Sequence, residues 1–253
     1  MKFTIQAACG CHIGKRRSNN EDNFLFDGKC LEEGNSGLHH PAILEDSLNN
    51  GATFAVFDGM GGENYGEVAS YAAARQMQAT QRNFADFLIP EKKYLERLTA
   101  QLNDAVLEAQ QKMQTAKMGT TMVCLYFSGK YVYVCNVGDS RAYRLRDGEF
   151  MQLSQDHVDK RPQVDGRKAA LTQHLGIRID DMLIEPFIAK GALQKDDIYL
   201  LCSDGLTDML TNFEISDILL KYEEPEDCVQ GLIDAALEQG GKDNITVIVC
   251  KLT

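Results

Sequence analysis

The sequence predicts an α+β fold in which an antiparallel sheet is covered by helices on one face and by a second sheet on the other. Three observations carry this. Tyr131-Val132-Tyr133-Val134-Cys135 is apolar on both faces of a strand rather than alternating, so a layer must cover each face. Leu95, Leu98, Leu102, Ala105, Val106, Ala109 and Met113 recur mainly in steps of three and four, the stripe of a helix with one buried face. Ser128-Gly129 and Asp147-Gly148 separate neighbouring apolar runs as hairpin turns.

In chain order, Phe3–Ala7 alternates like a half-buried strand, and Phe24–Phe26 reads as the next one. The polar stretch from Asp27 to Gly51 reads as a long hairpin or loop. Thr53–Phe57 is a dense apolar strand that stops at the Gly-rich turn Asp58-Gly59-Met60-Gly61-Gly62. Helices are predicted over about 63–81 and 91–117. A meander follows over Thr120–Phe127, Lys130–Val137, Ser140–Arg146 and Glu149–Leu153. Gln155–Asp181 is polar and carries no clear period. Asp197–Ser203 is a strand, short helices cover about 206–221 and 226–239, and Asn244–Lys251 is the last strand.

The 253 residues are 44% hydrophobic, with 5 prolines and no linker-like stretch, so one domain over 1–253 is expected. A formal net charge of −11 argues against nucleic acid, which needs a basic patch, and against an anionic membrane surface. Most of that acidity reads as a solubility feature. No apolar run approaches the roughly 18 residues that span a bilayer. Met1–Gly14 lacks the form of a secretory signal. The 8 cysteines are scattered, several inside apolar runs, which fits a cytoplasmic protein with free thiols. Cys9-Gly10-Cys11-His12 has no second Cys/His pair at zinc spacing and is expected to be structural.

One pattern recurs along the chain. Apolar strands give way to Asp, usually beside Gly, at Asp58-Gly59, Gly138-Asp139, Asp204-Gly205 and Asp243-Asn244, and Glu21-Asp22 precedes Phe24. Each alone is an ordinary turn signal. As a set they suggest carboxylates held on a rigid scaffold. Two charges about 4 Å apart repel by roughly 4 kcal/mol at an effective dielectric near 20, so a converging set needs cations. Oxygen donors select Mg²⁺ or Mn²⁺. Two such ions can activate a shared water for in-line displacement at phosphorus.

Ordered segments across nearly the whole chain carry a resemblance. They are Arg17–Asn23, Val56–Gly62, Gly119–Thr121, Asn136–Tyr143, Leu153–His157, Cys202–Asp208 and Gly241–Thr246. Together they resemble the metal-dependent protein serine/threonine phosphatases of the type-2C or PPM family, in its bacterial form. The resemblance implies a four-layer α/β/β/α sandwich of two antiparallel sheets flanked by helices. It implies that Asp58 bridges two ions, Mn²⁺ or Mg²⁺, with the Gly59 carbonyl helping the second. Asp204 and Asp243 would complete the first ion's ligands, and Asp22 with Glu21 would serve the second. Asp139 with Asp204 would make a third site. Arg17 would grip the substrate phosphate through its guanidinium fork. Asn244 would orient a loop or ligand behind the metal centre. Thr120 and Thr121 are expected to pack or cap, and Asp208 to cap locally. The implied partners are phosphorylated proteins, counteracting a Ser/Thr kinase, with the enzyme a monomer.

Two departures stand out. Met60 occupies a position where many eukaryotic members carry His, and Met has no proton to give; a metal-bound water is expected to supply it, while His157 is expected to anchor its loop. Leu171–Gly176 follows soon after the Asp156-His157 motif, so the flap over about 155–181 is expected to be short. Two other readings share the residues: an inactive relative serving as a binding module, and a hydrolase of small phosphoesters or nucleotides. All three central aspartates are present, which opposes the first. No Gly-x-x-x-x-Gly-Lys loop is present, which opposes a nucleotide substrate.

Overall fold

The computed structural model describes residues 3–60, 65–80, 88–115, 117–161 and 169–253. The strands are β1 (Thr4–His12), β2 (Asp22–Leu25), β3 (Ala42–Ser47), β4 (Ala52–Met60), β5 (Gly119–Thr120), β6 (Met122–Ser128), β7 (Tyr131–Val137), β8 (Arg141–Arg146), β9 (Glu149–Gln152), β10 (Phe187–Ala192), β11 (Ile198–Cys202) and β12 (Ile245–Leu252). The helices are α1 (Gly66–Ala79), α2 (Glu91–Met113), α3 (Asp204–Thr207), α4 (Asn212–Lys221) and α5 (Pro225–Glu238).

All pairings between strands are antiparallel. One sheet runs β3-β1-β12-β11-β8-β9, and the other runs β10-β7-β6-β4-β2 with β5 added beside β4. Three apolar clusters show the layering. Ile5, Cys9, Phe54, Val132, Val134, Tyr199 and Ile248 fill the space between the sheets. Phe57, Tyr133, Cys135 and Val137 meet α1 and α2 on the far side of the second sheet. Tyr143, Leu200, Val247 and Val249 meet α4 and α5 on the far side of the first. Alternate residues of β7 thus face the other sheet and the helices, which is why that strand is apolar on both sides. The α+β, four-layer arrangement expected from the sequence is present.

The helices begin and end where local chemistry dictates. In α2, Leu95, Leu98, Leu102, Val106 and Ala109 are buried, while Met113 is exposed. α4 opens with a capping box in which Thr211 Oγ1 accepts from Glu214 N–H and the Glu214 carboxylate accepts from Thr211 N–H. α5 opens on Pro225 and is followed by Gly240 and Gly241 at φ 118° and 49°. Asp147 and Gly148 both take positive φ, 51° and 81°, as a tight β8–β9 hairpin requires.

The structure corrects several expectations. The stretch 27–51 is not all loop: it contains β3, an edge strand with Glu45 and Asp46 exposed, which among the described residues pairs only with β1. β10 carries no strand signal in the sequence, because Phe187-Ile188-Ala189-Lys190-Gly191-Ala192 is another edge strand without a clear apolar pattern. The predicted meander is split. β6 and β7 belong to one sheet and β8 and β9 to the other, and the chain crosses at Gly138-Asp139-Ser140, with Gly138 at φ 104°. α2 ends at Met113 rather than near 117, because Gln114 turns left-handed at φ 54°. β1 continues through Cys9-Gly10-Cys11-His12, and both cysteines are buried between the sheets. Gly61, Gly62, the predicted helix start at 63–64 and residues 162–168 of the flap lie outside the described residues.

Candidate metal centre

The aspartates do not simply follow strand ends. β4 runs past Asp58 to Met60, and β2 begins at Asp22, so the two residues sit directly opposite each other on paired strands. Like charges so placed repel. Asp204 is the first residue of α3, entered from β11 of the other sheet through Ser203. Asp243 closes the loop from α5 into β12, and Asp139 lies on the crossing between sheets. The two sheets therefore deliver acidic residues to one end of the sandwich.

Asp58 keeps part of its surface open at the mouth of the site. Desolvation by the surrounding protein raises its pKa well above the usual carboxylate range, and the charges of Asp204, Asp22, Asp139 and Asp243 raise it further, in that order. Asp22 is 1% exposed. Its Oδ2 accepts from Ser203 Oγ at 2.8 Å and Thr246 Oγ1 at 2.7 Å. Burial pushes its pKa up to about 7 against the pull of those two hydroxyls. Four other aspartates therefore lie within electrostatic reach of Asp58. Among the described residues, however, no three acidic, His or Cys side chains form a ready-made metal-binding cluster. Arg17 Nη2 is seated on Asp243 Oδ2 at 2.6 Å, half exposed.

The backbone behind these carboxylates is tied down. Thr121 N–H and Thr120 Oγ1 donate to the Asp58 carbonyl at 2.8 and 3.0 Å, and Asp58 N–H donates to Thr121 Oγ1 at 3.1 Å. Asn244 is buried, and its side chain makes three bonds. Its Oδ1 accepts from Glu21 N–H at 2.8 Å, and its Nδ2 donates to the carbonyls of Ile13 and Asn19, each at 2.9 Å. This one side chain holds the 13–21 loop against the entry to β12. Gly59 N–H donates to the Glu21 carbonyl at 3.1 Å. The Glu21 carboxylate turns toward α1, where burial and then Glu67 raise its pKa and Gly66 N–H lowers it.

Gly205 marks the tightest approach. A Cβ there would stand 1.9 Å from the Asn244 carbonyl oxygen, so the Asp204 and Asp243 segments can meet only over a bare glycine. Gly205→Ala is expected to cost roughly 3 kcal/mol, seen by calorimetry as a Tm about 5–10 °C lower. An unchanged Tm would refute this account of the close approach.

Other motif residues prove structural. Asp156 takes a forked pair from Arg141, with Nε at 3.0 Å and Nη2 at 2.7 Å from Oδ2. His157 Nδ1 accepts from Gly138 N–H at 3.1 Å, and its own N–H donates to the Gly138 carbonyl at 3.0 Å. It thus anchors the loop beside Asp139. Asp208 is the C-cap residue of α3. The sequence reading missed Glu67, whose place in the first turn of a helix looked ordinary; its Oε2 is buried without a hydrogen-bond partner among the described residues. It also missed Ser203 and Thr246 as the holders of Asp22, because hydroxyls carry no signal until a neighbour is known.

All side chains gathered here that can bind a cation do so through oxygen, the donor set that suits hard divalent ions. A two-sheet sandwich that brings electrostatically coupled aspartates from both sheets to one end fits a class, that of metal-assisted hydrolases. The family model described as Protein phosphatase 2C matches residues 34–232, and the chain belongs to that family. It is therefore an enzyme, a phosphoprotein phosphatase. A serine/threonine phosphatase stp of Listeria innocua is 33% identical over 93% of this chain and 91% of its own length. The solved catalytic domain of the serine/threonine phosphatase PstP, in complex with 2 manganese ions, is similar with a TM-score of 0.73 and 29% identity, covering 99% of each chain. The serine/threonine phosphatase of S. agalactiae reaches a TM-score of 0.77 at 26% identity over 97% of this chain and 98% of its own.

Proposed function

We propose that this chain hydrolyses phosphoserine and phosphothreonine in proteins by in-line attack of water at a centre of two divalent cations, Mn²⁺ or Mg²⁺. The observation that carries this is Asp58, a carboxylate whose charge is felt by Asp22, Asp139, Asp204 and Asp243 from both sheets. When bound, the ions lower the pKa of a water toward about 7 and offset the charge developing on the phosphoryl oxygens. Asp58 would serve both ions, Asp204 and Asp243 would complete the first site, and Asp22, Glu21 and the Gly59 carbonyl would serve the second. Asp139 with Asp204 would hold a third ion. Asn244 keeps the Glu21 segment in register, and Thr120 and Thr121 fix the Asp58 backbone. Arg17 engages Asp243 through one nitrogen, which leaves other guanidinium N–H groups for a phosphate. Met60 offers no proton, and His157 Nδ1 is held by Gly138 N–H. On this reading the leaving alkoxide takes its proton from water.

The reading extends to one catalytic domain over 1–253 with a short flap at about 155–181. In the cell it would act as a cytoplasmic monomer in signalling, reversing a Ser/Thr kinase. No described helix is long and apolar enough to cross a membrane. The test is phosphate release from a phosphothreonine peptide. Release with Mn²⁺ and none in excess chelator is expected. Arg17→Ala should lower kcat/KM about 10- to 100-fold, the worth of charge-assisted bonds of roughly 1.5–3 kcal/mol. Full turnover in chelator would overturn the reading. Metal binding without turnover would favour the binding-module reading, and faster cleavage of nucleotides the small-phosphoester one.

A further inference from the structure

Beside Arg17 the surface reverses sign. The chain has a net charge of −11, yet Lys15, Arg16 and Arg17 follow one another on one loop and Lys242 stands on another. The two loops are pinned together. Lys15 N–H donates to the Gly241 carbonyl at 2.8 Å, and Asn244 Nδ2 holds the Ile13 carbonyl at 2.9 Å. The Lys15 stem lies over Gly241, where an added Cβ would meet Lys15 Cγ at 3.4 Å. Lys15, Arg16 and Lys242 are all exposed. Among the described residues, none of the three side chains has a hydrogen-bond or ion-pair partner. Like charges held together this way repel, and an anionic segment relieves them.

We propose that Lys15, Arg16 and Lys242 form a specificity rim that selects phosphoproteins with acidic residues flanking the phosphorylated side chain. This rests on the phosphatase reading above. With Arg17 on the phosphate, its neighbours face the flanking residues. An extended chain advances about 3.3–3.6 Å per residue, so positions two or three away lie roughly 7–10 Å from the phosphate. That is within reach of lysine and arginine side chains on the adjoining positions. The rim also counters the repulsion that an acidic peptide would feel from the rest of this surface.

The test compares kcat/KM for two phosphothreonine peptides, one with Asp and Glu at the flanks and one with Gln and Ser. The full chain is assayed with Mn²⁺, as wild type and as Lys15→Gln, Arg16→Gln, Lys242→Gln combined. p-Nitrophenyl phosphate, which has no flanks, reports the intact centre. Wild type should favour the acidic peptide about tenfold at low salt, and the combined variant by about twofold or less. The wild-type preference should also shrink between about 50 and 500 mM salt, a readout that needs no variant. No preference in wild type, or the same preference in the variant and at high salt, overturns the rim. Failure of all three substrates in Mn²⁺ overturns the phosphatase reading and the rim with it.

Discussion

Asp58→Asn is expected to lower kcat/KM on a phosphothreonine peptide at least about a thousandfold, roughly 4 kcal/mol of barrier, while the metal-free protein becomes more stable. Both effects have one origin. Asp58 faces Asp22 across a strand pair and feels Asp204, Asp139 and Asp243 as well. Asparagine keeps its shape but removes the negative charge that the proposed bridging role requires. It also removes a carboxylate whose ionisation is opposed by burial and by four like charges. The Asp58 backbone bonds to Thr120 and Thr121 are untouched by the change. A variant that simply misfolded would lose activity and stability together. Activity within about tenfold of wild type, or a lower metal-free Tm, would refute the assignment. Asp204→Asn is expected to abolish activity in the same assay.

The second large effect is on pH-dependent stability. For Asp22, pushed up to about 7, and Asp58, raised chiefly by burial, the folded state binds more protons than the unfolded chain. Stability then falls as pH rises from the unfolded value near 4 through the folded pKa, and the full penalty is present above it. In chelator, moving from pH 6.5 to pH 8 should cost about 1 kcal/mol through Asp22 alone and more with Asp58, a Tm lower by at least roughly 2–4 °C. His157 works in the opposite direction: burial lowers its pKa, so stability is lost as pH falls below its unfolded value. Comparing pH 6.5 with pH 8 largely avoids that effect. Mn²⁺ or Mg²⁺ binds the ionised carboxylates, so the Tm gain on adding metal should be larger at pH 8 than at 6.5. Equal melting temperatures in chelator at the two pH values would refute the buried-carboxylate account.

Some features were legible in the chain because they depend on local pattern. The apolar stripe of α2, the Asp147-Gly148 hairpin and the doubly apolar β7 each report their surroundings through spacing alone. The aspartates were legible only as a set at the margins of apolar runs, each one alone being an ordinary turn signal. The edge strands β3 and β10 were not legible, because each is paired on one side only and needs no apolar alternation to form. The jump from one sheet to the other at Gly138-Asp139-Ser140 was equally hidden. A hairpin and a crossing use the same turn residues, and only long-range pairing separates them.

By itself, then, the sequence determined which acidic residues stand at the margins of apolar segments, which oxygen donors they offer and which family they resemble. The tertiary structure decided which of them meet. It set Asp22 opposite Asp58 through strand register, brought Asp204 and Asp243 over a glycine too crowded for a Cβ, and turned Glu21 toward Glu67 on α1. It also joined Lys15 to Gly241, which turned a run of charges into a rim beside the site. These contacts reach from Lys15 near one end of the sequence to Gly241 near the other. Their energies come from packing and pairing that no local window contains.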